Sequence, residues 1–227
     1  MFMFLPLELK ATRTDTRVPL ANAVLVAINV IAFCLGLSTA WSVGPGSGLF
    51  SILTYGFAHA GIWHLAANMW VLLVFGNPVN RRLGNAWYLV AYLGTLVALG
   101  LFARLCVGGY LVGASGAIFA VIMIAMILMP AARIEIGYFA LFPITLLIAL
   151  IHRPEEWIYL LIRWGRFSVR AVWGLLLVPL LELWSLCWSG WNWTDSGHLF
   201  GMLCGLAVVL LLPARITMPR RAAAGAF

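Results

Sequence analysis

Charge is what this sequence has least of. Only 9 % of its 227 residues are charged and 64 % are hydrophobic, whereas a soluble domain carries about a quarter charged and half apolar, so an ordinary water-soluble fold is excluded. A single lysine, Lys10, accompanies scattered arginines in the net charge of +7. No basic run alternates with aromatics, which argues against a nucleic-acid partner. The four cysteines, Cys34, Cys106, Cys187 and Cys204, form no C-x-x-C pair or other metal-ligand spacing and read as small apolar membrane residues. Intrinsic disorder is excluded by 11 Trp and 13 Phe, and the lack of internal repeats or paired broken helices disfavours a solute transporter. Most of the chain is left to a lipid bilayer.

A bilayer-spanning helix needs about 20 apolar residues, with about 17 tolerated. Six runs qualify, at about 19–40, 62–79, 85–106, 112–129, 171–189 and 196–213. The first lacks the small-residue cleavage site of a signal peptide and is too long for one. Between the fourth and fifth, residues 136–151 are apolar but short, and they precede a charged stretch and an amphipathic one, Trp157 to Arg166. This region, about 131–165, reads as an inserted membrane-surface or re-entrant segment held by aromatics and arginines, with a seventh and eighth crossing as its rival. The expected fold is therefore an all-α, six-span membrane bundle. It divides into an N-terminal segment 1–18, a membrane domain 19–213 and a tail 214–227.

With the N-terminus inside, thirteen of the fourteen Lys and Arg residues fall on inner segments and only Arg104 falls outside. The positive-inside bias predicts an integral multi-pass protein of a cell (inner) membrane with both termini cytoplasmic.

Polar groups within a span are costly, so each is a candidate functional residue. His64 and Asn68, in GIWHLAANMW, are spaced i and i+4 on one face of the second span. Ser115 stands in GASGA at the outer start of the fourth span, and His198 in DSGHLFGMLCG at the outer start of the sixth. All four fall at one depth. A lone membrane serine or histidine is more often a helix-packing or hydrogen-bonding residue, but here glycines accompany both. Gly197, Gly201 and Gly205 form a small-residue ridge on the sixth span, and Gly113 and Gly116 flank the serine. Close approach of the two helices would bring His198 within reach of the Ser115 hydroxyl, the arrangement of a nucleophile and its general base. The Ser115 N–H at a helix start, with Asn68 and His64, would supply donors to an oxyanion. Asp195, at the outer turn, is the one aspartate near His198 in sequence, so the spacing is read as a Ser-His dyad. Glu182 is the other charged residue within a span: the simpler reading has it near the middle of the fifth helix, protonated or hydrogen-bonded to a neighbour.

The order FAHAGIWHLAANMWVLLVFG, RRLG, VGASGAIFA, GHLFGMLCG resembles the rhomboid family of intramembrane serine proteases, over about residues 20–130 and 166–213. The resemblance implies that Ser115 is the nucleophile, His198 the base, and His64 and Asn68 oxyanion donors, with no metal or cofactor. It implies that the substrate is a single-span membrane protein cut near the outer end of its helix, and that His59 has a loop or water-holding role. Because the family's fifth helix borders a lateral entrance, it makes Glu182 a candidate substrate gate, with Pro179 loosening the same helix. Asn80 stands where many relatives carry an acid, and Ala120 where glycine is frequent, which predicts a wider helix contact at Ala120. A rival from another class is a catalytically silent rhomboid-like protein that escorts membrane clients; such a protein is expected to lack the Ser or the His, and both are present.

Overall fold

The structure is a computed structural model that describes residues 2–11, 16–37, 41–106, 109–141, 162–190 and 192–213. Each of the six apolar runs contains a helix: α1 Leu20–Cys34, α2 Ile62–Leu83, α3 Asn85–Cys106, α4 Ser115–Leu128, α5 Gly174–Ser189 and α6 Trp193–Leu211. Four of them, α2, α3, α5 (with the 3-10 turn before it) and α6, are long and apolar enough to cross a membrane. The other two, α1 and α4, have 15 and 14 residues, or about 20 Å at 1.5 Å per residue, less than a hydrocarbon core.

Ile118, Val121, Ile122, Ile124, Ala125 and Met126 of α4 are all buried, so this helix is apolar on every side because protein surrounds it. α3 presents Tyr88, Tyr92, Leu96, Leu99 and Ala103 to the core, residues three to four apart that lie along one face. α5 is the least buried of the four long helices.

A polar network ties α1 to the C-terminal half of α2. Asn22 Nδ2 donates to the Leu72 carbonyl at 3.0 Å and to Asn77 Oδ1 at 2.8 Å, and its Oδ1 accepts from the Tyr88 hydroxyl at 2.6 Å. Asn80 Oδ1 accepts the Asn22 N–H at 3.0 Å and Asn80 Nδ2 donates to Asn85 Oδ1 at 3.0 Å. Asn80 is thus buried and partnered as a neutral amide. Leu72–Gly76 forms a π-helical turn at this point, where a side-chain donor takes up a displaced carbonyl.

One part of the expected architecture is corrected: the protein is mostly helical but not all-α. β1 (Phe2–Lys10), β2 (Arg133–Leu141) and β3 (Ile162–Arg170) form an antiparallel sheet in that order. Lys10, Arg133 and Arg170 stand level at one end, and Met3, Phe139 and Trp164 stand level towards the other. Lys10 Nζ donates to Glu135 Oε1 at 2.6 Å, and the Trp70 indole of α2 donates to the Pro6 carbonyl at 2.7 Å. Nine-residue apolar runs do not separate strand from helix by periodicity, and this sheet joins segments more than 100 residues apart. Of the expected insertion 131–165, the described flanks include strand; residues 142–161 and the tail 214–227 lie outside the described residues. Cys34, Cys187 and Cys204 are free thiols.

Candidate active site

The site is assembled where the loop after α1 meets the starts of α2, α4 and α6. Val43 and Leu111 pair through both backbone groups at 2.9 and 2.8 Å, and the Gly113 N–H donates to the Tyr55 carbonyl at 2.9 Å. These bonds hold the strand-like approach to α4, so that the chain turns into helix at Ser115. Ser115 is the first residue of α4, where a backbone N–H has no intrahelical acceptor.

Gly113 takes a φ of +104°, a conformation that favours glycine. A β-carbon there would also lie 2.8 Å from His64 Cε1, 2.9 Å from His64 Nε2 and 3.5 Å from Asn68 Nδ2. The two α2 side chains therefore converge on the backbone that leads into Ser115. His64 Nδ1 accepts the Ala60 N–H at 3.4 Å, which assigns the ring proton of the neutral imidazole to Nε2, the nitrogen beside Gly113. Asn68 is buried, and its Nδ2 makes no hydrogen bond among the described residues. Both donors thus lie against Gly113, though of the two only His64 lines the cavity that holds Ser115, and an unsatisfied buried donor such as the Asn68 amide costs about 1–3 kcal/mol.

α6 begins at an Asn192 cap, whose Oδ1 accepts the Thr194 and Asp195 N–H groups at 2.8 and 3.0 Å. It then lies directly on α4. A β-carbon at Gly201 would overlap the Gly116 carbonyl oxygen, and one at Gly205 would sit 2.5 Å from the Ala120 carbonyl oxygen. The wider contact expected at Ala120 is absent, because the glycine that permits contact there is on α6. The close packing sets the His198 ring flat on Phe119, with centroids 4.1 Å apart and planes inclined by 21°. Phe119 is one turn beyond Ser115 on the same face of α4.

Ser115 and His198 line one cavity of about 120 Å³, together with Tyr55, His64, Gly113 and Gly197. The hydrogen bond expected between them is not formed: His198 Nε2 is buried and makes none among the described residues. Catalytic hydrogen bonds are often long in unliganded enzymes and tighten in the substrate complex. The other ring nitrogen is engaged, with Nδ1 3.0 Å from Glu182 Oε2 of α5. Sequence spacing could not indicate this contact, because it depends on how α5 leans against α6. Glu182 is thereby turned to the site, and its side chain is only 16 % exposed.

His59, in the loop before α2, is buried and packs edge-on against His64 at 5.0 Å. Burial and the neighbouring imidazole push its pKa down to about 4. Ligand atoms of Glu182, Asp195 and His198 lie within 4.8 Å of one another, a spacing that would admit a cation. Asp195, however, already accepts from Asn192 Nδ2 at 3.1 Å, and Glu182 is bonded to His198.

A helical bundle with a serine at one helix start and a histidine packed beside it defines a class of membrane protein with a candidate nucleophile and base. The Rhomboid domain family matches residues 46–215, and the chain belongs to the rhomboid family. It is 30 % identical over 152 residues to Rhomboid protein 1, mitochondrial, of Saccharomyces cerevisiae, covering 59 % of this chain and 41 % of that protein. To Presenilin-associated rhomboid-like protein, mitochondrial, it is 29 % identical in Bos taurus and 28 % in Homo sapiens, each over 136 residues, covering 53 % of this chain and 36 % of theirs. The matched region therefore spans about two fifths of these relatives' length. No solved structure matches the chain.

Proposed function

We propose that the protein is an intramembrane serine endopeptidase that hydrolyses a peptide bond in or near the transmembrane segment of single-span proteins. The observation that carries this reading is the sharing of one cavity by Ser115 and the unengaged Nε2 of His198. Ser115 Oγ attacks the scissile carbonyl as Nε2 takes its proton, and the carbonyl π electrons move to oxygen. The Ser115 N–H, His64 Nε2–H and Asn68 Nδ2 receive that oxyanion; losing one such donor typically costs about 2.7–4 kcal/mol of transition-state stabilisation. His198 then returns the proton to the amine nitrogen as the C–N bond breaks; water, deprotonated by His198 Nε2, adds to the acyl carbon, and the C–Oγ bond breaks as Nε2 returns the proton to Ser115. These steps use only side chains, backbone and water.

Six apolar runs, each containing a helix, favour six crossings, with α1 and α4 completing the four long helices. The arginine distribution argues for both termini on one, inner, side. The relatives are mitochondrial by name, so the expected cell inner membrane draws no support from them, and the helices argue only for a membrane. Purified protein is expected to cleave a model single-span substrate, and its Ser115→Ala form is expected to be inert. Equal cleavage by both would refute the assignment in favour of a client-escorting role.

A further inference from the structure

We propose that Glu182 is a positioning residue for His198, so that the site works as a Ser115-His198-Glu182 relay rather than as a dyad; the inference rests on the protease reading above. Glu182 lies within α5, the most exposed of the long helices, yet its carboxylate points inward and meets Nδ1 at 3.0 Å. Both side chains are about five-sixths buried, at 15 % and 16 % exposure. A carboxylate withdrawn from water needs a hydrogen-bonding partner, and here that partner is the candidate base itself.

The geometry leaves two jobs for this bond. Phe119 clamps the face of the ring, but a flat clamp tolerates a half-turn of the imidazole that would exchange Nδ1 for a carbon. A partner specific to Nδ1 removes that degeneracy. An ionised carboxylate is an acceptor only, so Nδ1 carries the proton and Nε2 keeps its lone pair towards the cavity that holds Ser115. When Nε2 takes the Ser115 proton, both ring nitrogens carry hydrogen, and the adjacent carboxylate stabilises the imidazolium without accepting a proton. The other groups facing the ring are Asp195, on α6 itself, and His64, on α2. Asp195 is bonded to Asn192 at the helix start, so its place is in the cap.

The test measures kcat and KM of the full chain on a single-span substrate, the rate at which Ser115 is labelled by a fluorophosphonate, and Tm. It compares the parent with Ser115→Ala, Glu182→Gln, Glu182→Asp and Asp195→Asn. Glu182→Gln is expected to lower kcat and labelling by about tenfold or more, with KM and Tm close to the parent's. Glu182→Asp, which keeps the charge but retracts it by one methylene, should recover part of the loss. Normal kcat in Glu182→Gln would make the bond merely structural, and a rise in KM alone would make Glu182 a substrate contact; either overturns the relay. An equal loss in Asp195→Asn would assign the effect to local charge and also overturn it. If Glu182→Gln does not accumulate, Glu182→Asp decides: reduced kcat at parental KM supports the relay, and parental kcat refutes it. A parent that neither cleaves nor labels, or a Ser115→Ala form that cleaves, refutes the protease reading itself.

Discussion

Gly201 of α6 backs onto the carbonyl of Gly116 on α4 so closely that a single methyl group at 201 would overlap the oxygen. The neighbour is backbone, which cannot swing aside, so Gly201→Ala must separate the two helices that carry Ser115 and His198. The expected result is a fall in Tm together with a loss of kcat of about tenfold or more. Gly94, on α3, has nothing among the described residues within 4 Å of the same hypothetical methyl group. Gly94→Ala is expected to be neutral or to gain roughly 0.5–1 kcal/mol, as glycine in a helix interior costs about that much relative to alanine. Thermal unfolding of the two variants distinguishes close backbone approach from a general requirement for small residues.

The second expectation concerns the nucleophile and its base. A base without its nucleophile contributes little, and the reverse holds too. Ser115→Ala, His198→Ala and the double variant should therefore be similarly inactive instead of multiplying their losses. Residual rates of the three, measured on one substrate, check this; multiplicative losses would mean that the two side chains act separately.

For Asn68, the idle amide donor predicts a separation of effects. If it waits for an oxyanion, Asn68→Ala should lower kcat by about tenfold or more while KM and Tm stay near the parent's, because the bond exists only in the transition state. Removing an unpaired buried donor should not itself destabilise the fold. A lower Tm with normal turnover would instead make Asn68 a helix tie.

How far the sequence could lead is visible in these same residues. The helices are legible because long apolar runs leave few alternatives, and Ser115, His198, His64 and Asn68 are conspicuous because polar side chains in apolar runs demand a reason. The same logic applies to Asn22, which sits in the first apolar run and whose partners Asn77 and Asn80 stand at the end of the second and just beyond it. Asn22 and its partners lie far apart in the chain, so the sequence does not pair them; their network predicts a loss of about 1–3 kcal/mol for Asn22→Ala, which would strand the Tyr88 hydroxyl. The sheet and the Glu182–His198 bond were not legible either. Both join segments whose proximity is decided by packing, and neither leaves a periodic trace in the chain.

The last expectation is a pH dependence of stability that originates at His59. Its folded pKa of about 4 lies below the ordinary imidazole value of about 6.5, because burial and His64 both oppose a charge there. Between those two values the unfolded chain binds the proton and the folded one does not, so stability rises with pH through the window. It is complete above about 6.5 and is lost progressively as pH falls towards 4. Tm in detergent should therefore drop between pH 7 and pH 5. In His59→Gln, which cannot take up the proton, the drop should be smaller whatever that variant's absolute Tm. An identical pH 7 to pH 5 difference in parent and variant would mean that other groups carry the effect, and that His59 is either protonated or solvated in the folded protein.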